Sequence, residues 1–339
     1  MVTFEDLPND TSTDELNLYF PLVFYQSTEN VGSDTARQAY ADKFYETMGL
    51  RDKFPQFIQL CDKLVETGPF LDFPNNELST FTHLMFAFIY TIDDLYEKHV
   101  CGDEPHAKFA VSLYHMTINV LKQLDKAPMF PKIPGISNAL TERGDLFRSI
   151  IIYLSQLAEE LMAPSHFRAW RKSLRHMYKY FVHHETKFRQ LSQRATLPAD
   201  PYQNMLVRSA TAGQASVASV FLDATRLDLD NEFEPNCYMT QLSGCHVQLV
   251  NDLLSAAREI DEEDLMNHTT ALMASGIDSH QAAVDTANLA NQKMRALVAY
   301  HKHFPEERDR IYLEVRALYQ VTRMQLIMER YGYDRSELD

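Results

Sequence analysis

The stretch FTHLMFAFIYTIDDLYE, residues 81–97, decides the fold class of this chain. Its first twelve residues are apolar on nearly every side of a helix, and a helix of that kind is buried. The run ends in three acids, Asp93, Asp94 and Glu97, which share one helix face because they lie three and four residues apart. Acids near a helix C-terminus oppose the helix dipole at a cost of roughly 0.3–1 kcal/mol each, so we expect a cation nearby.

A second polar stripe lies far along the chain, in the stretch NDLLSAARE at residues 251–259. Asn251, Ser255 and Glu259 repeat at four-residue steps and therefore lie on one face of a helix. Carboxylates, an amide and a hydroxyl, without Cys or His, suit a hard cation such as Mg²⁺ that also binds phosphate. Either stripe alone is also compatible with a solvated helix face. Their order, about 158 residues apart, favours one joint site for metal and diphosphate.

The rest of the chain predicts further helices and no sheet. Only 10 of its 339 residues are Gly, strand-like alternation is nearly absent, and prolines separate the helical segments. We predict helices over 34–48, 52–66, 77–99, 106–125, 139–162, 165–192, 199–225, 233–260, 278–303 and 306–331. No linker or composition break divides them, so the predicted fold class is all-α, a single-domain helical bundle. Its predicted parts are a flexible N-terminal arm (1–15), the domain (16–331) and a C-terminal tail (332–339).

Charge, cysteine spacing and the N-terminus limit the partners and the compartment. The formal net charge of −15 argues against nucleic acid or an anionic membrane as a partner. The four cysteines form no CxxC motif, Met1 is followed by acids rather than a leader, and no apolar run has the length of a membrane span. We therefore expect a soluble, cytoplasmic protein with reduced thiols, and the sequence leaves a homodimer open.

The two acidic motifs resemble those of the class I terpene synthases, the terpene cyclases of bacteria and fungi, and the resemblance covers about residues 81–331. The matched positions are Asp93, Asp94, Glu97, Asn251, Ser255 and Glu259 for metals, and Arg208, Arg258, Arg330 and Tyr331 for diphosphate. Residues 202–213 resemble the broken helix that carries the family's pyrophosphate-sensing arginine, here Arg208. Its small effector residue aligns with either Ala212 or Gly213.

The resemblance implies an enzyme, a carbon-oxygen lyase that uses Mg²⁺, with Mn²⁺ as an alternative. In the family, the first motif holds two Mg²⁺ ions, the second holds a third, and all three bridge the diphosphate of an isoprenoid substrate. The carbocation left after pyrophosphate departs is then held in a dry pocket. We expect the wall of that pocket to include Phe86, Tyr90, Gly244 and Val247. Met324 stands where relatives often place an aromatic residue, six residues before the Arg-Tyr pair.

The expected reaction is ionisation and cyclisation, or quenching, of farnesyl diphosphate to a sesquiterpene, because single-domain relatives most often take that substrate. Geranyl and geranylgeranyl diphosphate, hence a monoterpene or a diterpene, are the alternatives. Chain-elongating prenyl diphosphate synthases carry two aspartate-rich motifs. Here the second position holds the Asn/Ser/Glu set, which disfavours chain elongation. The alternative of another class is a non-catalytic, isoprenoid-binding helical bundle.

One further cluster, His183-His184-Glu185, lies in a segment rich in Lys and Arg that includes Arg189. It lacks the HExxH spacing of a zinc enzyme. We interpret this segment as a solvated helix face.

Overall fold

The described part of the chain is mainly helical. The computed structural model describes residues 34–66, 76–193, 200–213, 217, 219, 220, 223, 238–261 and 266–327. The helices are α1 (Asp34–Met48), α2 (Leu50–Lys53), α3 (Pro55–Glu66), α4 (Asn76–Val100), α5 (Glu104–Gln123), α6 (Asn138–Leu161), α7 (Pro164–Tyr180), α8 (Thr186–Gln193), α9 (Pro201–Ser209), α10 (Tyr238–Asp261), α11 (His268–Ala274), α12 (Ser279–His303) and α13 (Arg308–Ile327). These ranges contain no β-strand, and the predicted all-α fold class is confirmed.

Local sequence explains where several helices begin. The Asp103 side chain accepts a hydrogen bond from the backbone N–H of His106 at the start of α5, and Ser137 does the same for Leu140 at the start of α6. Such caps satisfy N–H groups that have no partner inside the helix. The predicted arm (1–15), the predicted tail, Arg330 and Tyr331 all lie outside the described residues, as does the side chain of Met324.

Helix α4 forms the centre of one half of the bundle, packed against α1, α3, α5 and α6. It is buried along nearly its whole length, as its all-round apolar sequence predicts. Its threonines are accommodated because Thr82 and Thr91 donate to the carbonyls of Leu78 and Ala87 one turn earlier. Within the described ranges, no helix combines the length and the apolarity needed to cross a membrane.

Helix α10 has the same central place in the other half, packed against α9, α11, α12 and α13. Gly244 allows α9 to approach closely, since a Cβ at that position would lie 2.5 Å from the Ser209 carbonyl oxygen. The two helices with acidic motifs, α4 and α10, are therefore both interior helices.

Several helices differ from their predicted course: the segment predicted over 52–66 is divided at Phe54, and α11 was not predicted. Two further differences bear on the site. The segment predicted as one helix over 165–192 is interrupted by a π-helical turn at Phe181–Glu185. The segment predicted over 199–225 stops at Ser209, and helical geometry is found again at Val217, whose N–H donates to the Gly213 carbonyl. Gly213 has a φ of 71°, a value that favours glycine and explains why the break falls here.

Candidate functional site

A cavity lies between the acidic helices α4 and α10. Measured together with its open mouth, it has a volume of about 670 Å³. Its apolar lining residues are Phe86, Ile89, Tyr90, Phe181, Ala212, Gly213, Val217, Val247 and Val321. Its polar lining residues are Asp93, Glu97, Glu185, Arg189, Arg208, Thr211, Gln248, Asn251 and Gln325. Acids, arginines and aromatic rings therefore line one cavity.

The acids of the first motif do not all face this cavity. Asp93 and Glu97 line it, whereas Asp94 is fully buried and is not among the described lining residues. Asp93 accepts a hydrogen bond from the Tyr114 hydroxyl at 2.8 Å. Burial, together with Asp93, raises the pKa of Tyr114 well above its ordinary value, so the phenol stays protonated and fixes the carboxylate orientation.

The cation expected beside these acids is Arg189. Its Nη2 lies 2.8 Å from Glu97 Oε1, and its Nε lies 3.0 Å from Glu185 Oε1. Glu185 and Arg189 are buried and line the cavity, so the interpretation of their segment as a solvated face was wrong for these two residues. It holds for His183 and His184, which are exposed. The π-helical turn adds a residue to the helix and so changes which side chains face inward.

The second motif is held together by a residue that sequence reasoning missed. Asn251 lines the cavity, while Ser255 and Glu259 are buried. Asn267 Nδ2 lies 3.2 Å from Ser255 Oγ and 2.7 Å from Glu259 Oε2, and Asn267 Oδ1 caps α11. Arg258 Nη2 lies 2.8 Å from Glu259 Oε1. The only sequence signal for Asn267 was its cap position before a short helix that we did not predict.

Arg208 brings a buried cation to the cavity. Its Nη2 lies 3.3 Å from Asp252 Oδ1, and its Nη1 is buried with no hydrogen-bond acceptor among the described residues. Burial lowers the pKa of Arg208, but Asp252 and Glu259 raise it by more, so its pKa lies above the ordinary value and the guanidinium stays charged. A charged donor of this kind beside a cavity is suited to an anion such as a phosphate group.

The expected apolar wall is only partly found at the cavity. Phe86 and Tyr90 line it and stack on each other, with ring centroids 5.7 Å apart and planes 29° apart, and Val247 lines it from α10. Gly244, which we also expected there, faces the Ser209 carbonyl instead. Ala212 and Gly213, the alternative effector positions, both line the cavity.

The donor chemistry fits a hard divalent cation that is shared with a ligand. Asp93, Glu97 and Asn251 offer oxygen atoms to the cavity, and Ser255 and Glu259 lie on the same face of α10 as Asn251. No group of three or more His, Cys, Asp or Glu side chains able to hold a metal ion is found in the part of the chain that the structure describes. A cation here would therefore draw further oxygens from the amide, the hydroxyl, water and a bound phosphate.

Comparison with known proteins agrees with this geometry. The family model described as terpene synthase family 2, C-terminal metal binding, matches residues 84–296, which is more than half of the chain. Comparison with curated protein sequences gives no match.

Solved structures of the same fold cover most of the chain. A single-residue variant of cucumene synthase has a TM-score of 0.65 at 14% identity, covering 90% of this chain and 98% of its own. The 2-methylisoborneol synthase of Streptomyces coelicolor A3(2), in complex with Mg²⁺ and 2-fluoroneryl diphosphate, has a TM-score of 0.64 at 12% identity, covering 94% and 97%. The linalool/nerolidol synthase of Streptomyces clavuligerus, in complex with 2-fluorogeranyl diphosphate, has a TM-score of 0.58 at 12% identity, covering 90% and 98%. Together with the family match over both acidic motifs, these likenesses show that the chain belongs to the terpene synthase family, as a class I terpene synthase.

Proposed function

We propose that this enzyme ionises a linear isoprenoid diphosphate with Mg²⁺, releases pyrophosphate and directs the carbocation to a cyclised or quenched terpene. The observation that carries this proposal is Arg208, which lines the same cavity as the oxygen donors Asp93 and Asn251 and the stacked rings of Phe86 and Tyr90. Its Nη1 is buried with no hydrogen-bond acceptor among the described residues. An anionic group and an apolar chain would thus both find a complementary wall.

The metal ligands of the proposal are Asp93, Glu97, Asn251, Ser255 and Glu259. The resemblance adds Asp94, but its carboxylate is buried and is not among the described lining residues of the cavity. When bound, Mg²⁺ would supply positive charge to the diphosphate oxygens as the allylic C–O bond breaks and its electron pair leaves with pyrophosphate. Arg208 would donate to those oxygens from its buried position beside the cavity. We propose the same role for Arg258, Arg330 and Tyr331, on the basis of the resemblance.

The apolar wall would act after ionisation. Phe86 and Tyr90 are 5% and 8% exposed, so little of their surface is in contact with water. Aromatic ring faces stabilise a cation by roughly 0.5–2 kcal/mol each, and the dry wall delays capture by water. Gln248 and Gln325 also line the cavity, so the wall includes amides that can hold a water molecule near the cation.

For the substrate we propose farnesyl diphosphate, and therefore a sesquiterpene product. Two of the similar enzymes were solved with fluorinated ten-carbon diphosphates, which keeps geranyl diphosphate as the first alternative, with geranylgeranyl diphosphate as the second.

The test is incubation of the purified protein with each of the three diphosphates and Mg²⁺, with pyrophosphate measured in solution and the extract analysed by gas chromatography. Farnesyl diphosphate should give the highest kcat/KM and a terpene product. Binding of all three diphosphates without pyrophosphate release would instead support a non-catalytic isoprenoid-binding bundle. A longer prenyl diphosphate, formed when isopentenyl diphosphate is added, would indicate chain elongation.

A further inference from the structure

A chain of polar contacts joins the first acidic motif to the break after α9. Arg189 lies 2.8 Å from Glu97 and 3.0 Å from Glu185, measured between its nitrogens and the nearest carboxylate oxygens. The second oxygen of Glu185 accepts a hydrogen bond from Thr211 Oγ1 at 2.9 Å. Glu97 belongs to α4, Glu185 and Arg189 to the π-helical turn and α8, and Thr211 to the break. Three segments distant in sequence thus share one network.

This network is largely buried, so its charges act on each other strongly. Glu185 is 1% exposed, and Arg189 and Thr211 are each 7% exposed. A single guanidinium is divided between two carboxylates in this environment, where electrostatic interactions are little screened. Any change in the charge around Glu97 must therefore alter how strongly Arg189 interacts with Glu185.

The direction of that change follows from the signs of the charges. A cation bound at Glu97 would repel Arg189 and compete with it for the Glu97 carboxylate. Arg189 would then pair more fully with Glu185. A better neutralised Glu185 is a weaker acceptor for the Thr211 hydroxyl, so the bond that holds Thr211 would loosen.

Thr211 is placed where such a change reaches Arg208. Its N–H donates to the Arg208 carbonyl at 2.9 Å, and its hydroxyl lies 2.9 Å from the same carbonyl. Thr211 lies two residues before Gly213, which has a left-handed backbone conformation within the break. We propose that Glu185 and Arg189 are positioning residues that couple cation binding at Glu97 to the position of Thr211 and Arg208. The proposal rests on the proposed function only for the identity of the ligands, Mg²⁺ and diphosphate.

A double-mutant cycle tests this coupling without turnover. The measured quantity is the Kd of inorganic pyrophosphate in saturating Mg²⁺, by calorimetry, for the parent, Glu97→Gln, Thr211→Val and the double variant. Because Glu97 and Thr211 are connected through Arg189 and Glu185, we expect the effect of the double variant to differ from the product of the single effects by about threefold or more. Thr211→Ser, which keeps the hydroxyl, should restore the parent value within about twofold.

The matched control is Thr80→Val. Thr80 is equally buried and donates to two backbone carbonyls, those of Asn76 and Arg37, but it lies thirteen residues before Asp93, about 20 Å away along α4. The effects of Thr80→Val and Glu97→Gln on the Kd of pyrophosphate should be independent, so the double variant should show the product of the two single effects. If Glu97→Gln abolishes measurable pyrophosphate binding, Arg189→Lys takes its place in the cycle. If Thr211→Val does not fold, Glu185→Gln takes the place of Thr211→Val.

Independent effects in the Glu97 and Thr211 cycle, within about twofold, would overturn the coupling. Failure of the coupling can be told apart from failure of the proposed function. If the parent shows the expected coupling but releases no pyrophosphate from any isoprenoid diphosphate, the proposed function is contradicted and the coupling stands.

Discussion

Arg208 Nη2 lies 3.3 Å from Asp252 Oδ1, and both side chains are buried. Asp252 follows Asn251 directly, but a step of about 100° around the helix turns it away from the cavity. There its carboxylate also accepts from Gln248 Nε2 and from the N–H of His268. Neighbouring residues of one motif therefore have different tasks: Asn251 faces the cavity, and Asp252 holds the arginine that we propose binds diphosphate.

This pair makes stability and activity separable. Arg208→Gln should cost about 3–5 kcal/mol in the free energy of unfolding, because it leaves a buried carboxylate unpaired, and it should remove most pyrophosphate release. The double variant Arg208→Gln with Asp252→Asn should recover much of the stability, since no unpaired charge remains, but none of the activity. Urea unfolding and a pyrophosphate assay measure the two effects. Recovery of activity in the double variant would show that Arg208 acts only through the fold.

The metal proposal predicts loss of turnover without loss of fold. Asp93→Ala and Asn251→Ala should each lower kcat/KM by at least about a hundredfold, and excess EDTA should abolish turnover in the parent. Both side chains are only partly buried, so we expect each variant to lose no more than about 2 kcal/mol of stability. Asp285→Ala, at a similarly half-buried acid on α12, serves as control and should keep parent activity. Full turnover in EDTA would contradict the metal requirement.

The proposal that Phe86 and Tyr90 form the apolar wall of the substrate cavity predicts that shortening either one changes the product rather than slowing ionisation. Phe86→Ala and Tyr90→Ala should shift the products towards acyclic and monocyclic alcohols and olefins, because the enlarged wall admits water and releases the cation early. Gas chromatography measures the shift. Phe88→Ala is the comparison: Phe88 lies on the same helix but packs edge-on against Phe147, 5.8 Å between centroids, and is not among the described lining residues. Phe88→Ala should cost stability, about 3–5 kcal/mol, and leave the product ratio unchanged. If both cavity variants gave the same products as the parent, Phe86 and Tyr90 would serve to pack the core and not to direct the product.

Two buried histidines predict acid sensitivity. Burial lowers the pKa of His83 to about 3 and that of His246 to about 4. A lowered pKa in the folded state means that the unfolded chain binds more protons below pH 6.5. Each histidine therefore contributes stability that is full above pH 6.5 and falls by about 1.4 kcal/mol per pH unit as the pH drops towards its folded pKa.

Urea unfolding between pH 7 and pH 4 measures this slope. His246→Asn should reduce the dependence of stability on pH by up to about 1.4 kcal/mol per pH unit. The variant should also be less stable at pH 7, because it loses the contact of His246 Nδ1 with the Ala290 carbonyl at 3.1 Å. His280→Asn, at an exposed ring on α12, should leave the slope unchanged. An equal slope in the His246 variant and the parent would contradict the assignment of a buried, neutral ring.

Several features of the fold could be predicted because they are properties of short segments. The apolar run before Asp93 predicts a buried helix, and α4 is buried along nearly its whole length. The four-residue spacing in 251–259 predicts one helix face, and α10 contains the whole motif. Helix ends marked by caps or prolines fell within a few residues of their predicted positions. In each case hydrogen bonds and side-chain periodicity within one or two turns decide the outcome.

The sequence by itself determined the all-α class, the burial of α4 and the placing of Asn251, Ser255 and Glu259 on one helix face, since these depend on neighbours a few residues apart. Only the tertiary structure decided that Arg189 is the cation beside Glu97, that Asn267 holds Ser255 and Glu259, and that Gly244 faces Ser209 instead of the cavity. A π-helical turn cannot be read from helical periodicity, and it changes which residues face inward. Pairings between residues 92 positions apart, such as Arg189 with Glu97, are set by how whole helices pack, and that is decided by burial summed over the entire bundle.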